Sequence, residues 1–329
     1  MRCLFCGAAT LEPLYEGIRD RYGVDTDTHR FLRCVACGSA TLDSPPPLKR
    51  LAQLYPPEYT FKLATPRSTW RRLLQSLEWR LFYEPGHRGR LALIRRLTAL
   101  SSGLVLEVGC GSGLFLRHLR DAGFAVEGVE MSSADVRYSR ERIGLTVFEG
   151  SLETLPLPPA RYDAVVMIYV LEHILDPATT LKRIYALLKP GGWVVLGLPV
   201  MDSGQARWLG ARWSAVTEAP RHVAIPTVDG ARRLLEGAGF EDIRWAPSPL
   251  AENAGHIALS LLPGAATPRA YGGSSGAGTI VRRAAGALLM LPSFLLAVWE
   301  RLPGGPTARA GTMFFSGRRA GGAGGDDVS

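Results

Sequence analysis

One short segment constrains the fold of this chain more than any other: residues 104–116 look like a buried strand, a glycine-rich turn and the start of a helix. The apolar residues at its beginning are typical of a strand covered on both faces, and Leu114 opens an amphipathic helix. Gly109, Gly111 and Gly113 allow a tight turn and let a ligand approach the backbone without a Cβ in the way. Backbone N–H groups at the helix start favour an electronegative ligand group. The segment therefore predicts a site for a nucleotide-like cofactor.

The spacing of the glycines separates this loop from the dinucleotide fingerprint G-x-G-x-x-G, because the third glycine comes one residue early and Leu114 fills its place. Glu107 precedes the loop, where a carboxylate suits a cationic ligand and repels a pyrophosphate. A second predicted strand, at 125–130, ends in Glu130, whose carboxylate can accept hydrogen bonds from both ribose hydroxyls. The predicted cofactor has a ribose and a positive charge but no pyrophosphate, which fits S-adenosylmethionine.

Further segments at 149–156, 162–168, 170–173 and 187–195 complete a resemblance between residues 100–200 and the class I S-adenosylmethionine-dependent methyltransferases. This family has a doubly wound, seven-stranded, mostly parallel α/β sheet of Rossmann-like form. The resemblance implies that Gly109, Gly111 and Gly113 line the methionine part of the cofactor, that Glu130 meets the ribose, and that Glu107 orients the loop.

The resemblance also implies three further cofactor contacts after the third and fourth strands. Many family members carry an aspartate that meets the adenine amino group at the place of Ser151. In this chain the adenine contact therefore rests on the hydroxyl of Ser151 and on backbone groups, with Leu152 beside it. Tyr169 either forms a wall of the cofactor pocket or packs in the core.

Alternating apolar patterns support the same architecture along the chain. Such an alternation of strands and helices predicts a parallel sheet with helices on both faces. Two lead-in helices are expected at 70–81 and 89–100, and a last strand is expected at 312–316. The family resemblance implies that this last strand is antiparallel and inserted between the fifth and sixth. The predicted strands span 104–108, 125–130, 145–149, 162–168, 193–198 and 241–246, and the predicted helices span 114–122, 133–142, 177–188 and 227–238.

Two C-x-x-C pairs, Cys3 with Cys6 and Cys34 with Cys37, stand at the start of the chain. Two such turns can aim four thiolates at one Zn²⁺ ion, and a closed four-sulfur site of this kind is structural. Residues 1–45 are therefore predicted to form a zinc ribbon, with four free cysteines as the alternative. The paired cysteines and the absence of an apolar h-region near the start suggest a cytoplasmic protein.

Residues 46–100 are assigned to a linker and the lead-in helices, and 101–317 to the methyltransferase domain with an apolar insertion at about 250–305. Within the insertion, 271–278 resembles a flexible linker, and 284–299 is almost wholly apolar and interrupted by Pro292. This stretch is shorter than the roughly 20 residues needed to span a bilayer. It is interpreted as a core or dimer-interface helix pair, or alternatively as peripheral contact with the inner membrane face or a wall for a lipid substrate. The tail, 318–329, is predicted to be disordered.

Two histidines are candidates for a base on the acceptor side. His173 follows the fourth strand, at the carboxyl edge where ligands bind in such sheets, and His222 follows the fifth. A structural role is the alternative for each. Trp208 and Trp213 are expected either in a loop that closes over an acceptor or packed at the surface.

The predicted reaction is in-line methyl transfer to a small-molecule, sugar or lipid-linked acceptor, at an oxygen, nitrogen or carbon atom. RNA methylation with the ribbon as a clamp is an alternative, and the net charge of +8 permits it. The balanced charge of the ribbon is evidence against RNA binding, since residues 1–40 contain five arginines and five acidic residues. A non-catalytic binding protein that retains the fold is a third possibility. The oligomeric state is left open.

Overall fold

The computed structural model describes residues 1–55, 80, 83–261, 277–301 and 310–321, with only the backbone for 277–287. Most of the first predicted lead-in helix, at 70–81, and residues 271–276 of the predicted linker lie outside this part of the chain.

A small antiparallel sheet forms the start of the chain. Each C-x-x-C turn is followed by a glycine with a positive φ, Gly7 at 74° and Gly38 at 75°, where a residue with a side chain would be strained. The sheet also contains a two-residue strand from much later in the sequence. Its order is β1-β2-β3-β9, with β1 (Leu11–Arg19), β2 (Thr28–Cys34), β3 (Ala40–Leu42) and β9 (Ala224–Ile225). This small sheet is therefore completed by a strand that lies far outside residues 1–45 in the sequence.

The second sheet has seven strands in the order β10-β11-β8-β7-β4-β5-β6. Strand β11 runs antiparallel to both of its neighbours, whereas the other neighbouring strands are parallel. This confirms the predicted seven-stranded, mostly parallel, doubly wound sheet and the inserted last strand. The strands are β4 (Leu104–Val108), β5 (Ala125–Glu130), β6 (Val147–Glu149), β7 (Tyr162–Ile168), β8 (Leu188–Pro199), β10 (Glu241–Pro247) and β11 (Thr312–Arg318).

Some strand limits differ from the predicted ones. Strand β6 begins at Val147, two residues later than expected, and β8 begins at Leu188 rather than at 193. Strand β11 reaches Arg318, which pairs with Trp193, and the N–H of Arg319 donates to Gly192. The tail predicted from 318 therefore begins after these paired residues.

The helices lie where the apolar periodicity predicted them, within a few residues. Asp176 caps α5 and Thr227 caps α8 through side chains that accept N–H groups of the first turn. The helix predicted at 133–142 is α-helical only to Tyr138 and continues as a π-helical turn, Ser139–Ile143. The helices are α1 (Leu48–Gln53), α2 (Glu84–Thr98), α3 (Leu114–Asp121), α4 (Ser133–Tyr138), α5 (Pro177–Leu187), α6 (Gly204–Leu209), α7 (Ser214–Thr217), α8 (Val228–Gly237), α9 (Leu250–Leu261) and α10 (Ala277–Trp299).

The insertion between β10 and β11 forms α9 and α10, which pack on each other. Helix α10 continues through Pro292, and it starts at Ala277, inside the predicted linker. One face of α10 is buried, where Ala297 packs against α9. The interpretation of 284–299 as a core helix therefore holds for only one face of α10, among the residues whose side chains the structure describes. In the described part of the chain, no helix combines the length and the apolar character needed to cross a bilayer.

Candidate functional site

The glycine loop between β4 and α3 has the geometry predicted from its sequence. Gly109, Gly111 and Gly113 have φ angles of 71°, 53° and 73°, a region that side chains rarely adopt. A Cβ on Gly109 would lie 2.5 Å from Cγ2 of Val170, and one on Gly113 would lie 2.7 Å from Cδ1 of Leu145. These two positions exclude side chains for both conformational and steric reasons.

Glu130, at the carboxyl end of β5, faces this loop. Its Oε2 accepts the N–H of Gly111 at 2.8 Å, and its Oε1 accepts the N–H of Ser132 at 2.8 Å. Burial raises the pKa of Glu130 above its usual range, although these two hydrogen bonds act in the opposite direction. The carboxylate is thus held beside the loop, at the place expected for a ribose contact.

Glu107 lies at the end of β4 and is only 5% exposed. Burial, with a further contribution from nearby Glu130, raises its pKa to about 8, while Arg90 acts to lower it. Its Oε2 atom has no hydrogen-bond partner among the described residues. A buried carboxyl group in this state can ionise when a cationic ligand arrives.

A buried charged network, which sequence reasoning missed, lies beside the loop. Arg90 of α2 donates from Nε to Oε1 of Glu252 at 2.6 Å, and the hydroxyl of Tyr169 donates to Oε2 of the same residue at 2.8 Å. Tyr169 has a φ of 57°, and its ring contacts the guanidinium of Arg90 and the ring of His256. The only sequence signal of this network was an arginine within the apolar pattern of the predicted lead-in helix. Glu252 gave no signal, because only the tertiary fold brings it to the site.

Ser151 and Leu152 follow β6 on the same edge of the sheet. Gly150, with a φ of 135°, donates its N–H to the carbonyl of Glu130 at 3.0 Å and so ties this turn to the end of β5. The hydroxyl of Ser151 lies 3.2 Å from that of Thr154, and Leu152 is buried. The two predicted adenine contacts thus stand next to Glu130.

The two candidate histidines lie together at the carboxyl edge, with their ring centroids 4.6 Å apart. His173 directs Nδ1 at the carbonyl of Arg221, 3.1 Å away, and His222 directs Nδ1 at the carbonyl of Ala215, 2.7 Å away. Because a carbonyl only accepts hydrogen bonds, we assign the proton of each neutral ring to Nδ1; the hydroxyl of Tyr55, 3.0 Å from Nδ1 of His173, is then a second acceptor for that proton. Each Nε2 then carries a lone pair.

Glu172 completes this group. Its Oε1 lies 4.0 Å from Nε2 of His222, and its Oε2 has no hydrogen-bond partner among the described residues. Burial raises the pKa of Glu172 to about 8 and lowers those of His173 and His222 to about 3. Both imidazoles are therefore neutral at physiological pH and able to accept a proton.

The four amino-terminal cysteines converge on one point. The Sγ atoms of Cys3 and Cys37 are 3.6 Å apart, those of Cys6 and Cys34 are 3.5 Å apart, and all four lie within 4.8 Å of one another. Tetrahedral Zn–S bonds of about 2.3 Å would separate the sulfurs by about 3.8 Å. The four side chains therefore fit a zinc ion.

Trp213 lies in the bend just before α7, but it is buried rather than packed at the surface. It packs with residues of the small sheet, and its Nε1 donates to Oε1 of Gln205 at 3.3 Å. Trp208 is exposed and stacks on Trp299 of α10, with ring centroids 4.8 Å apart.

A protein-family model described as a methyltransferase domain matches residues 86–244. The ubiquinone biosynthesis O-methyltransferase of Albidiferax ferrireducens is 33% identical over 112 residues, which are 32% of this chain and 44% of that protein. A probable S-adenosylmethionine-dependent methyltransferase of Mycolicibacterium smegmatis is 32% identical over 138 residues, which are 42% of this chain and 51% of that protein. The chain thus spans about half the length of these relatives.

Among solved structures, a SAM-dependent methyltransferase of Thermotoga maritima, described as a possible histamine N-methyltransferase, aligns with a TM-score of 0.47 and 20% identity. The alignment covers 76% of this chain and 97% of that one.

Proposed function

We propose that this chain transfers the methyl group of S-adenosylmethionine to a hydroxyl oxygen of a small-molecule acceptor, since residues 86–244 match a methyltransferase-domain model. The observation that carries the proposal is the pair of neutral histidines at the carboxyl edge, each with a lone pair on Nε2. A hydroxyl group holds its proton at neutral pH, so its methylation requires a base. The names of the O-methyltransferase relatives support the same acceptor atom.

In this proposal the residues around the glycine loop hold the cofactor. Gly109, Gly111 and Gly113 line its methionine part, Glu130 accepts hydrogen bonds from the ribose hydroxyls, and Glu107 offers a carboxylate to its cationic groups. Ser151 and Leu152 flank the adenine, and Tyr169 walls the pocket. S-adenosylmethionine itself supplies a methyl group that its sulfonium has already activated.

On the acceptor side, the protein orients the hydroxyl and removes its proton. The imidazole of His222 or of His173 accepts this proton at Nε2, and the nearby Glu172 stabilises the resulting imidazolium only in its ionised form, which is the minor form at neutral pH. Burial of these three groups excludes water from the path of the methyl group. The deprotonated acceptor oxygen would then be held ready to take the methyl group that bound S-adenosylmethionine would supply.

We assign zinc at Cys3, Cys6, Cys34 and Cys37 a structural role, since four thiolates fill its tetrahedral shell and leave no open position. The arginines of the ribbon do not favour an RNA clamp. Within the ribbon, Arg33 binds Glu12 and Arg30 binds Asp43, while Arg50 of α1 binds the ribbon acids Asp25 and Asp27. These ion pairs neutralise the surface that a phosphate backbone would need.

An apolar surface supports a lipid-linked acceptor. Leu288, Leu291 and Leu295 of α10 are 78%, 68% and 61% exposed and lie on one helical face. The stacked Trp208 and Trp299 stand at its end, an arrangement typical of a membrane interface. We propose that this face meets the cytoplasmic membrane surface and brings the protein close to its acceptor.

The experiment is transfer of tritiated methyl from S-adenosylmethionine to four probes: catechol, a polyprenyl phenol in vesicles, a nucleotide sugar and transfer RNA. We expect label in a phenolic hydroxyl, and more with the polyprenyl phenol in vesicles than with catechol. Label in transfer RNA alone would contradict the proposed acceptor. Calorimetry that finds no cofactor binding at millimolar concentration would exclude methyl transfer altogether.

A further inference from the structure

The ribbon and the acceptor side are joined by a seam of backbone and side-chain hydrogen bonds. Strand β3 pairs with β9, and the N–H of Leu42 donates to the carbonyl of Val223 at 2.8 Å. The hydroxyl of Thr227 donates to the carbonyl of the zinc-site residue Cys37 at 2.6 Å, and its N–H donates to the hydroxyl of Ser39 at 3.0 Å. The segment that carries His222 is thus built into the ribbon's sheet.

At the centre of the seam lies an ion pair between Asp20, just after β1, and Arg221, next to His222. Both side chains are 0% exposed, and both terminal nitrogens of the guanidinium bind the carboxylate. Asp20 also accepts the backbone N–H groups of Tyr22, Val24 and Asp25 at 2.9–3.0 Å. Burial would raise the pKa of Asp20, but Arg221 and these N–H groups outweigh it and hold the pKa below its usual range. The ribbon thus fixes a charged anchor beside the acceptor site.

Arg221 connects this anchor to both histidines. Its carbonyl oxygen lies 3.1 Å from the ring Nδ1 of His173 and accepts the proton assigned there, and its own backbone leads directly into His222. Its Nη1 also donates to the carbonyl of Leu54 at 3.1 Å, and the hydroxyl of the next residue, Tyr55, lies 3.0 Å from Nδ1 of His173. One buried guanidinium therefore sets the positions of the groups that orient His173.

We propose that Asp20 and Arg221 are positioning residues for the acceptor-side histidines, so that the ribbon acts as the outer wall of the acceptor site. Through the seam, the folded ribbon keeps the imidazole of His173 in the tautomer with a lone pair on Nε2. This inference rests on the proposed role of the two histidines. The cofactor edge is held differently, because Glu130 is fixed by Gly111 and Ser132. Loosening the seam should therefore disturb the histidines and spare cofactor binding.

The test compares Asp20→Asn with Asp163→Asn in the full-length, zinc-loaded protein. Asp163 also binds a cation, Lys189, and accepts a backbone N–H, that of Leu104, but it stands at the opposite edge of the sheet. Nitrogen-15 NMR of the histidine rings reports the tautomers, and calorimetry reports the affinity for S-adenosylmethionine. In Asp20→Asn we expect averaged tautomers for His173, with a cofactor Kd within about twofold of wild type because the two sites are separate. Asp163→Asn should match wild type in both measurements.

Defined wild-type tautomers of both histidines in Asp20→Asn would overturn the inference, and so would an equal disturbance in Asp163→Asn. Removing the charge partner of a buried arginine can prevent folding. If Asp20→Asn does not fold, the same measurements on wild-type protein treated with a zinc chelator replace it. Unfolding of the ribbon after zinc removal should average the tautomers of His173 and leave cofactor binding intact. Unchanged histidine signals after zinc loss would contradict the proposal. If the wild type binds no cofactor, the proposed function fails while the histidine signals still test the seam.

Discussion

The cofactor edge and the acceptor side of this site are assembled in different ways. At the cofactor edge, Glu107, the glycine loop and Glu130 lie close together in sequence and are held by short-range hydrogen bonds. On the acceptor side, His173 depends on Arg221 and Tyr55, and Arg221 depends on Asp20 of the ribbon. The difference shows that one half of the site is encoded in a local motif and the other half only in the tertiary fold.

The largest effect is expected on the acceptor side, in His222→Gln. Glutamine fills a similar space but cannot accept the acceptor's proton, so methyl transfer should fall by about 10²–10⁴-fold. Cofactor affinity should remain, because the loop and Glu130 do not contact this ring in the described structure. Tritiated methyl transfer and calorimetry measure the two quantities.

His173→Gln is the parallel variant, and the larger loss identifies which ring takes the proton. His118→Gln, on helix α3, serves as the control because its ring packs against Phe115 rather than at the acceptor edge. Undiminished methyl transfer in both acceptor-side variants would mean that neither histidine acts as the base.

A second effect, about a hundredfold in cofactor affinity, is expected from Gly109→Ala at the cofactor edge, equivalent to ~2.7 kcal/mol. The new Cβ would meet Val170 at 2.5 Å, and the φ of 71° would be strained. Gly144→Ala is a matched control, since Gly144 has the same φ but nothing within 4 Å of a new Cβ. It should lose only about 1–2 kcal/mol of stability from the left-handed backbone.

Calorimetry with S-adenosylmethionine and thermal unfolding of both glycine variants separate strain from steric contact. Equal cofactor affinity in the two variants would show that the loop does not need the close approach of Val170. The difference between the two halves of the site would then lose its structural basis.

The sequence was sufficient for the cofactor edge because its signals are local. A glycine pattern requires positive φ angles, and parallel strands bring their carboxyl ends, with Glu107 and Glu130, to one edge of the sheet. The alternation of apolar segments likewise predicted the strands, and the family resemblance implied the insertion of β11. What the sequence left open at this edge were the partners that other elements bring, such as Arg90 from α2.

The acceptor side could not be predicted in the same way. In the sequence, Asp20 counted only as one acid in the balance of charges, yet it is wholly buried against a residue 201 positions away. No local pattern shows that the two residues of β9 complete the ribbon's sheet, or that Trp213 lies beneath that sheet rather than at the surface. Long-range contacts determine the burial of Asp20, the pairing of β9 and the place of Trp213, and hydrophobic periodicity carries no information about such contacts.

The smallest of these effects tests the electrostatics of the cofactor edge. The pKa of Glu107 is raised to about 8, chiefly by burial, so this carboxyl is largely protonated at neutral pH in the free protein. A sulfonium cation favours the carboxylate and lowers this pKa, so binding releases a proton. Affinity should therefore rise with pH, by about tenfold between about pH 6 and pH 8, and level off above the pKa of the free protein.

Calorimetry in buffers of different ionisation enthalpy measures both the affinity and the protons released. Glu107→Gln is uncharged at every pH, so it should bind more weakly at high pH and lose most of the pH dependence. The comparison of variant with wild type removes the cofactor's own amino-group titration, and S-adenosylhomocysteine, which lacks the sulfonium charge, should show a flatter profile. A wild-type profile identical to that of Glu107→Gln would mean that Glu107 stays neutral in the complex. The cofactor edge would then recognise its ligand by backbone shape and Glu130 alone, and the buried carboxyl would serve the fold.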